Sequence, residues 1–259
     1  GGFKTIEVVE NITEATAGGN RSQGIDFAIG TGRVGDAILV RDNHVTSVGF
    51  GIGLFNISCY AEVAYNVIRA QGHPVYGCIS VHYNRDTSVG GIVCGNEVTL
   101  NEGNALRLQW AVDHVVYDNV FNGPMYLNAV YTSYFEGNRF VDLVGDPLAA
   151  VHLRIGEDNY LVKNDYRNSG MPGWADDGSG GPGCVLLGGR LNDFWAGAVN
   201  NLVKENGRFP LETNAKAQVL DLGSNNRVVG HPANNVLHPG IGQRIQELNQ
   251  AMEQNGMMD

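Results

Sequence analysis

Residues 105–140 read ALRLQWAVDHVVYDNVFNGPMYLNAVYTSYFEGNRF, and one unit occurs twice within them. ALRLQW (105–110) and MYLNAV (125–130) are short alternating runs. In VVYDNVF (115–121) and YFEGNRF (134–140) an apolar or aromatic residue stands three places before Asn119 and Asn138, and strand-like residues follow each Asn. Alternation is the pattern of a half-buried strand. Each unit therefore reads as a strand, a small turn, a second strand, an Asn-bearing turn and a third strand.

The same unit extends in both directions. Upstream the Asn motif appears as AILVRDNHV ending on Asn43, EVAYNVI on Asn66 and GIVCGNEV on Asn96, and downstream as YLVKNDY on Asn164 and NLVKENG on Asn206. NNRVVGH puts His231 in the equivalent place. The alternating run recurs ahead of each as GIDFAIG, GIGLF, GCISVHY, AVHLRI, GCVLLGG and AQVLDL. Successive Asn steps of 23, 30, 23, 19, 26, 42 and 25 residues form a near-period with insertions of variable length, the mark of a solenoid whose coils differ in their loops. Leucine-rich repeats would need a helix in every unit, whereas these units are β-branched and glycine-rich. A ladder of stacked Asn side chains, hydrogen-bonded along the axis, is the expected reason for the repeated amide.

Composition agrees. The 259 residues are 43% hydrophobic and 17% charged, with 36 glycines, so the chain is globular and turn-rich, and no run approaches the ~18 apolar residues of a membrane span. A net charge of -10 without a Lys/Arg cluster argues against nucleic acid as a partner. Cys59, Cys78, Cys94 and Cys184 form no C-x-x-C pair and read as buried free thiols. The Gly1-Gly2-Phe3 start has neither an initiator Met nor a signal-peptide pattern, so a leader is absent or removed. NIT at Asn11 and NIS at Asn56 are glycosylation sequons. The glycines of GIGTGRVG are not followed by a helical pattern, which removes nucleotide binding.

The recurring unit, over about residues 20–237, resembles the right-handed parallel β-helix or pectate-lyase-like superfamily. AVHLRIGEDNYLVKNDY (150–166), followed by GCVLLGG and AQVLDLGSNNRVVG, is similar to the final coils of inulin fructotransferases. The resemblance implies an all-β solenoid of about eight coils over residues 1–238, extracellular or periplasmic, that binds a carbohydrate and cleaves or rearranges a glycosidic linkage. Hydrolase, lyase and fructotransferase chemistry all stay open; no cofactor is expected, and only a lyase leaves room for a calcium ion. The competing class is a non-catalytic glycan-binding, tailspike-like or structural surface protein. Where inulin fructotransferases carry an acidic residue on a middle coil this chain has Asn128, so their catalysis is not carried over.

Alternation orients the candidate site. With Ile79, Val81, Leu106, Leu108, Val151, Leu153 and Ile155 inward, the outward row holds Cys78, Ser80 and His82, then Arg107 and Gln109, then Tyr126 and Asn128, then His152 and Arg154. Aromatic faces stack on sugar rings, and Arg and amide groups bond to hydroxyls or carboxylates. Carboxylates would come from loops: Asp142 and Asp146 in VDLVGDP, and Asp165, Trp174, Asp176 and Asp177 in DYRNSGMPGWADDGSGGPG. Glycosidases need two carboxylates ~5–10 Å apart, for which Asp146 with Asp176 or Asp177 is the candidate pair. For a lyase, Arg107, Arg154 and His152 are the candidates for the base and the stabilising cations, and Trp174 is a platform for the sugar.

Beyond Pro239, Ile241, Ile245, Leu248 and Met252 fall at helical spacing, so residues 239–259 are expected to cap the last coil as an amphipathic helix. The first strand, Phe3 to Val9, has no such cap, which points to upstream coils or to a covering subunit, with a homo-oligomer such as a trimer as the expected assembly.

Overall fold

The computed structural model describes residues 4–15, 23–27, 33–71, 77–85, 89–144, 149–168, 183–188, 198–204, 219–221, 223–229 and 233–234. All regular structure among them is β. The strands run in three parallel sheets, and each pass of the chain contributes to them in turn. A nine-stranded sheet runs from Thr5–Val9 to Arg227–Val229, a seven-stranded sheet from Ile12–Ala15 to Asp165–Asn168, and a ten-stranded sheet from Gln23–Phe27 to Ala233–Asn234. One middle pass shows the plan: Phe50–Ile57 in the ten-stranded sheet, Tyr60–Ala64 in the nine-stranded, Val67–Ala70 in the seven-stranded, then Gly77–Tyr83 back beside Phe50–Ile57. The described chain is an all-β solenoid of stacked parallel strands. The expected helix over 239–259 lies outside the described residues.

The core is built of columns. Along the ten-stranded sheet, Ile52, Ile79, Leu106, Met125, Val151, Val185 and Val219 are register partners in succession, all buried in one cluster. Across the interior Val45, Ile68, Val98, Phe121 and Phe140 do the same for the seven-stranded sheet. Parallel strands ~4.8 Å apart put equivalent side chains in van der Waals contact, so one apolar choice per coil position fills the axis without voids.

The Asn ladder is present, and it begins earlier than the sequence motif. Asn11, read above as a sequon, is its first rung, with Asn11 Nδ2 donating to Asn43 Oδ1 at 3.0 Å. The chain of amides continues through Asn66, Asn96, Asn119 and Asn138 to Asn164 at 2.8–2.9 Å per step. Each Asn oxygen also accepts the backbone N–H of the preceding rung, as Asn119 Oδ1 does from Asn96 N at 3.0 Å. The left-handed residue of the turn is not the Asn. It is the position before it: Asp42, Tyr65, Gly95, Asp118, Gly137 and Lys163 all have φ between 52° and 66°. Asn206 and His231 lie outside the described residues.

A second ladder stands at the corner between the ten- and nine-stranded sheets. Ser133 N donates to Asn159 Oδ1 at 3.0 Å, Asn159 Nδ2 to Asn201 Oδ1 at 2.9 Å and Asn201 Nδ2 to Asn226 Oδ1 at 2.9 Å. His114 heads this column, its N–H donating to Ser133 Oγ at 3.0 Å. Its ring is locked as well: Nδ1 lies 3.0 Å from the Val112 carbonyl and Nε2 2.8 Å from Tyr83 Oη. A carbonyl only accepts, so Nδ1 carries the proton and Nε2 accepts from the tyrosine. Gly91 leaves the space, since a Cβ there would meet His114 Nε2 at 2.5 Å and Tyr83 Oη at 2.8 Å.

Candidate functional site

The ten-stranded sheet carries the candidate row on its outer side. Ser80, Arg107, Tyr126 and His152 are register partners on four adjacent strands, and His82, Gln109 and Asn128 form the parallel row beside them. Pairing then becomes irregular: Asn128 lies opposite Ile155, which leaves Arg154 as the extra residue of a bulge. Bulges re-aim a side chain. Arg154 Nη1 accordingly reaches Tyr126 Oη at 3.4 Å.

Around Tyr126 the groups converge. The Arg107 guanidinium carbon stands 5.6 Å from the Tyr126 ring centroid, and the His152 ring packs edge-on against it at 5.3 Å. Arg107 Nη2 donates to Gln109 Oε1 at 2.6 Å, which polarises that amide and fixes its orientation. Neither arginine is limited to these contacts. Next to Gln109, Trp110 receives Arg85 over its ring face at 4.6 Å, and Phe55 packs edge-on to His82 at 4.9 Å. Arg85 and Trp110 were missed in the sequence because only spatial stacking joins them.

Three expectations are corrected. The row is not open to solvent: Arg107 is 0% and Arg154 2% exposed, and His152, Tyr126 and Asn128 are buried too, while His82 and Gln109 are half-buried. Outward from the sheet is thus not the same as wet. Cys78, expected outward with Ser80, packs in the core cluster near Gly51. Ile155, expected inward, is half-buried and outside that cluster, because the bulge at Arg154 shifts the register after Leu153.

Burial sets the electrostatics. The His152 pKa is pushed down to about 4, first by loss of solvent and also by the Arg154 cation, against the opposing hydrogen bond of Nε2 to the Gly188 carbonyl at 2.8 Å. His152 is therefore neutral near pH 7, its Nε2 proton committed to Gly188 and only Nδ1 left as an acceptor. Burial and then the Arg107 charge likewise hold His82 well below its ordinary range. Asn128 Oδ1 is buried and accepts no hydrogen bond among the described residues. An amide oxygen so placed is a ready acceptor for a hydroxyl.

Of the loop candidates, Asp142 is exposed with φ 46°, and Asp165 is half-buried opposite Arg139. Asp146, Trp174, Asp176 and Asp177 lie outside the described residues, so the proposed acid pair has no geometry here. Among the described residues no three His, Cys, Asp or Glu side chains gather as metal ligands. Comparison with known proteins adds no relative: no family model, curated protein or solved structure matches the chain.

Proposed function

We propose that the chain is a right-handed parallel β-helix of the pectate-lyase-like kind, with about eight coils closed by the 239–259 helix. In this reading it binds a polysaccharide or oligosaccharide along the outer side of the ten-stranded sheet and cleaves or rearranges a glycosidic linkage. The observation that carries the reading is the buried, unpaired Asn128 Oδ1 flanked by the polarised Gln109 amide and the Arg107–Tyr126–Arg154 cluster. A polyhydroxylated ligand supplies the O–H donor that Asn128 lacks and accepts from Gln109. The half-buried His82, Gln109 and Trp110 are the side by which it would enter. Asp146 with Asp176 or Asp177 would act as acid and base, Trp174 as stacking platform, and His152, held neutral, would position rather than carry charge. Hydrolase, lyase and fructotransferase routes share this binding step, and only the lyase route leaves room for a calcium ion.

The second reading is a non-catalytic glycan-binding or structural rod. Burial of Arg107, His152 and Arg154 favours it, because groups closed off in this way also serve as an outer packing layer. One experiment separates the two: assay the full chain for reducing ends and unsaturated products across neutral and acidic polysaccharides, and measure binding in parallel. The enzymatic reading expects turnover that falls at least tenfold in Asp146→Asn or Asp176→Asn. Asn128→Ala should weaken binding about tenfold, roughly 1.4 kcal/mol, with melting intact, and Gln109→Ala should weaken binding as much while also lowering the melting temperature, because the buried Arg107 loses an acceptor. Binding without turnover selects the rod. Loss of neither in those variants removes the site.

A further inference from the structure

The outer side of the nine-stranded sheet has a different character. Along its middle row the register partners at the centre are Ile92, Val115 and Tyr134, followed by Tyr160, and Val115 and Tyr160 are 38% and 46% exposed. The Tyr134 and Tyr160 rings lie 6.1 Å apart, side by side along the stripe. An apolar stripe with exposed members on the outer side of a sheet marks an interaction surface. Its ends are charged and opposite in sign: Glu7 closes the row at the first strand and Arg227 at the last, both exposed.

Among the described residues the row has nine positions, and Val115 is the fifth. Reversed upon itself about Val115, it pairs Glu7 with Arg227, Leu39 with Leu202, Glu62 with Tyr160 and Ile92 with Tyr134. Acid meets base at both ends, apolar meets apolar inside, and a carboxylate meets a phenol O–H between them. The geometry points to a second copy of this chain as the occupant, docked face to face with its axis reversed about a two-fold through Val115. A two-fold interface needs a patch complementary to itself, which this row supplies. In the adjacent row the reversal sets Arg41 opposite Lys204, but Arg41 already holds Glu62 at 2.7 Å, so that position is locally neutral. Nine strands at ~4.8 Å and about four residues at ~3.3 Å give a face of ~40 by ~15 Å, or roughly 1,200 Å² buried over both copies, the lower range of specific interfaces.

Sedimentation of the full chain across a concentration series tests this. A monomer–dimer equilibrium is expected. Val115→Arg, which sets two cations against each other on the two-fold, should leave a monomer with unchanged circular dichroism, and Tyr160→Glu should do the same should Val115→Arg fold poorly. Glu7→Arg and Arg227→Glu should each weaken the dimer several-fold, and the two together should restore it. A chain that stays monomeric throughout, including one that instead binds an oligosaccharide through Tyr134 and Tyr160, overturns the proposal. So does a dimer insensitive to Val115→Arg and Tyr160→Glu, or a double charge exchange no better than either single change. None of these outcomes depends on the ten-stranded face.

Discussion

Asn119 shows what one side chain does in a ladder. Its Oδ1 accepts from Asn96 N and Asn96 Nδ2, and its Nδ2 meets the Val93 and Tyr117 carbonyls and Asn138 Oδ1. Alanine would leave a buried N–H and a buried carbonyl unpaired at once, so Asn119→Ala should cost on the order of 2–4 kcal/mol. At the exposed end, Asn11 makes its contacts near solvent, where water replaces a lost bond, and Asn11→Ala should cost about 1 kcal/mol or less. Urea unfolding of both variants checks the contrast, and equal costs would mean that position within the ladder is irrelevant. The sequence showed the repeated amide but not which residue of the turn is strained. Asn tolerates the left-handed region, yet here the Asn uses its side chain for the ladder while its predecessor, even Tyr65 or Lys163, takes the positive φ.

At the scale of an element, the strand Ala149–Glu157 divides its load between two faces. Leu153 belongs to the core column and Arg154 to the bulge beside Tyr126. Leu153→Ala should therefore destabilise by about 3 kcal/mol through the cavity it leaves. Arg154→Met, which keeps much of the packed stem, should cost less and have a second effect. Burial is the main cause of the low His152 pKa, and removing the nearby cation relieves only the lesser one, so the pKa should rise modestly above about 4. Imidazole proton NMR reads that shift directly. A His152 titration unmoved by Arg154→Met, or a harmless Leu153→Ala, would place these two side chains on the wrong faces.

For the whole molecule, the buried histidines make stability depend on pH. His114 and His152 both have folded pKa values near 4, against about 6.5 when exposed, with burial as the leading cause in each. The unfolded chain thus binds more protons between pH ~6.5 and ~4, and stability must fall as pH drops through that window and level off below it. Each histidine contributes up to about 3 kcal/mol, present above pH ~6.5. Melting followed by circular dichroism from pH 7.5 to 4.5 should show this decline, and His152→Gln, which retains a donor for the Gly188 carbonyl, should shallow it. A melting temperature flat across the window would mean that neither imidazole is buried neutral.

The sequence by itself determined the solenoid. Alternation put Ile79, Leu106 and Leu153 inside, and the repeated Asn located the corner between two sheets, because both are local patterns that each coil must satisfy on its own. Only the tertiary structure decided what happens between coils. The second ladder stayed hidden because its column changes identity, from His114 through Ser133 to Asn159, and repeats Asn only in the later coils, at Asn159, Asn201 and Asn226. The bulge at Arg154 is a difference in length between paired strands, which a single strand cannot display. Burial of the outward row was likewise illegible, since alternation says which side of a sheet a residue faces but not whether that side is covered.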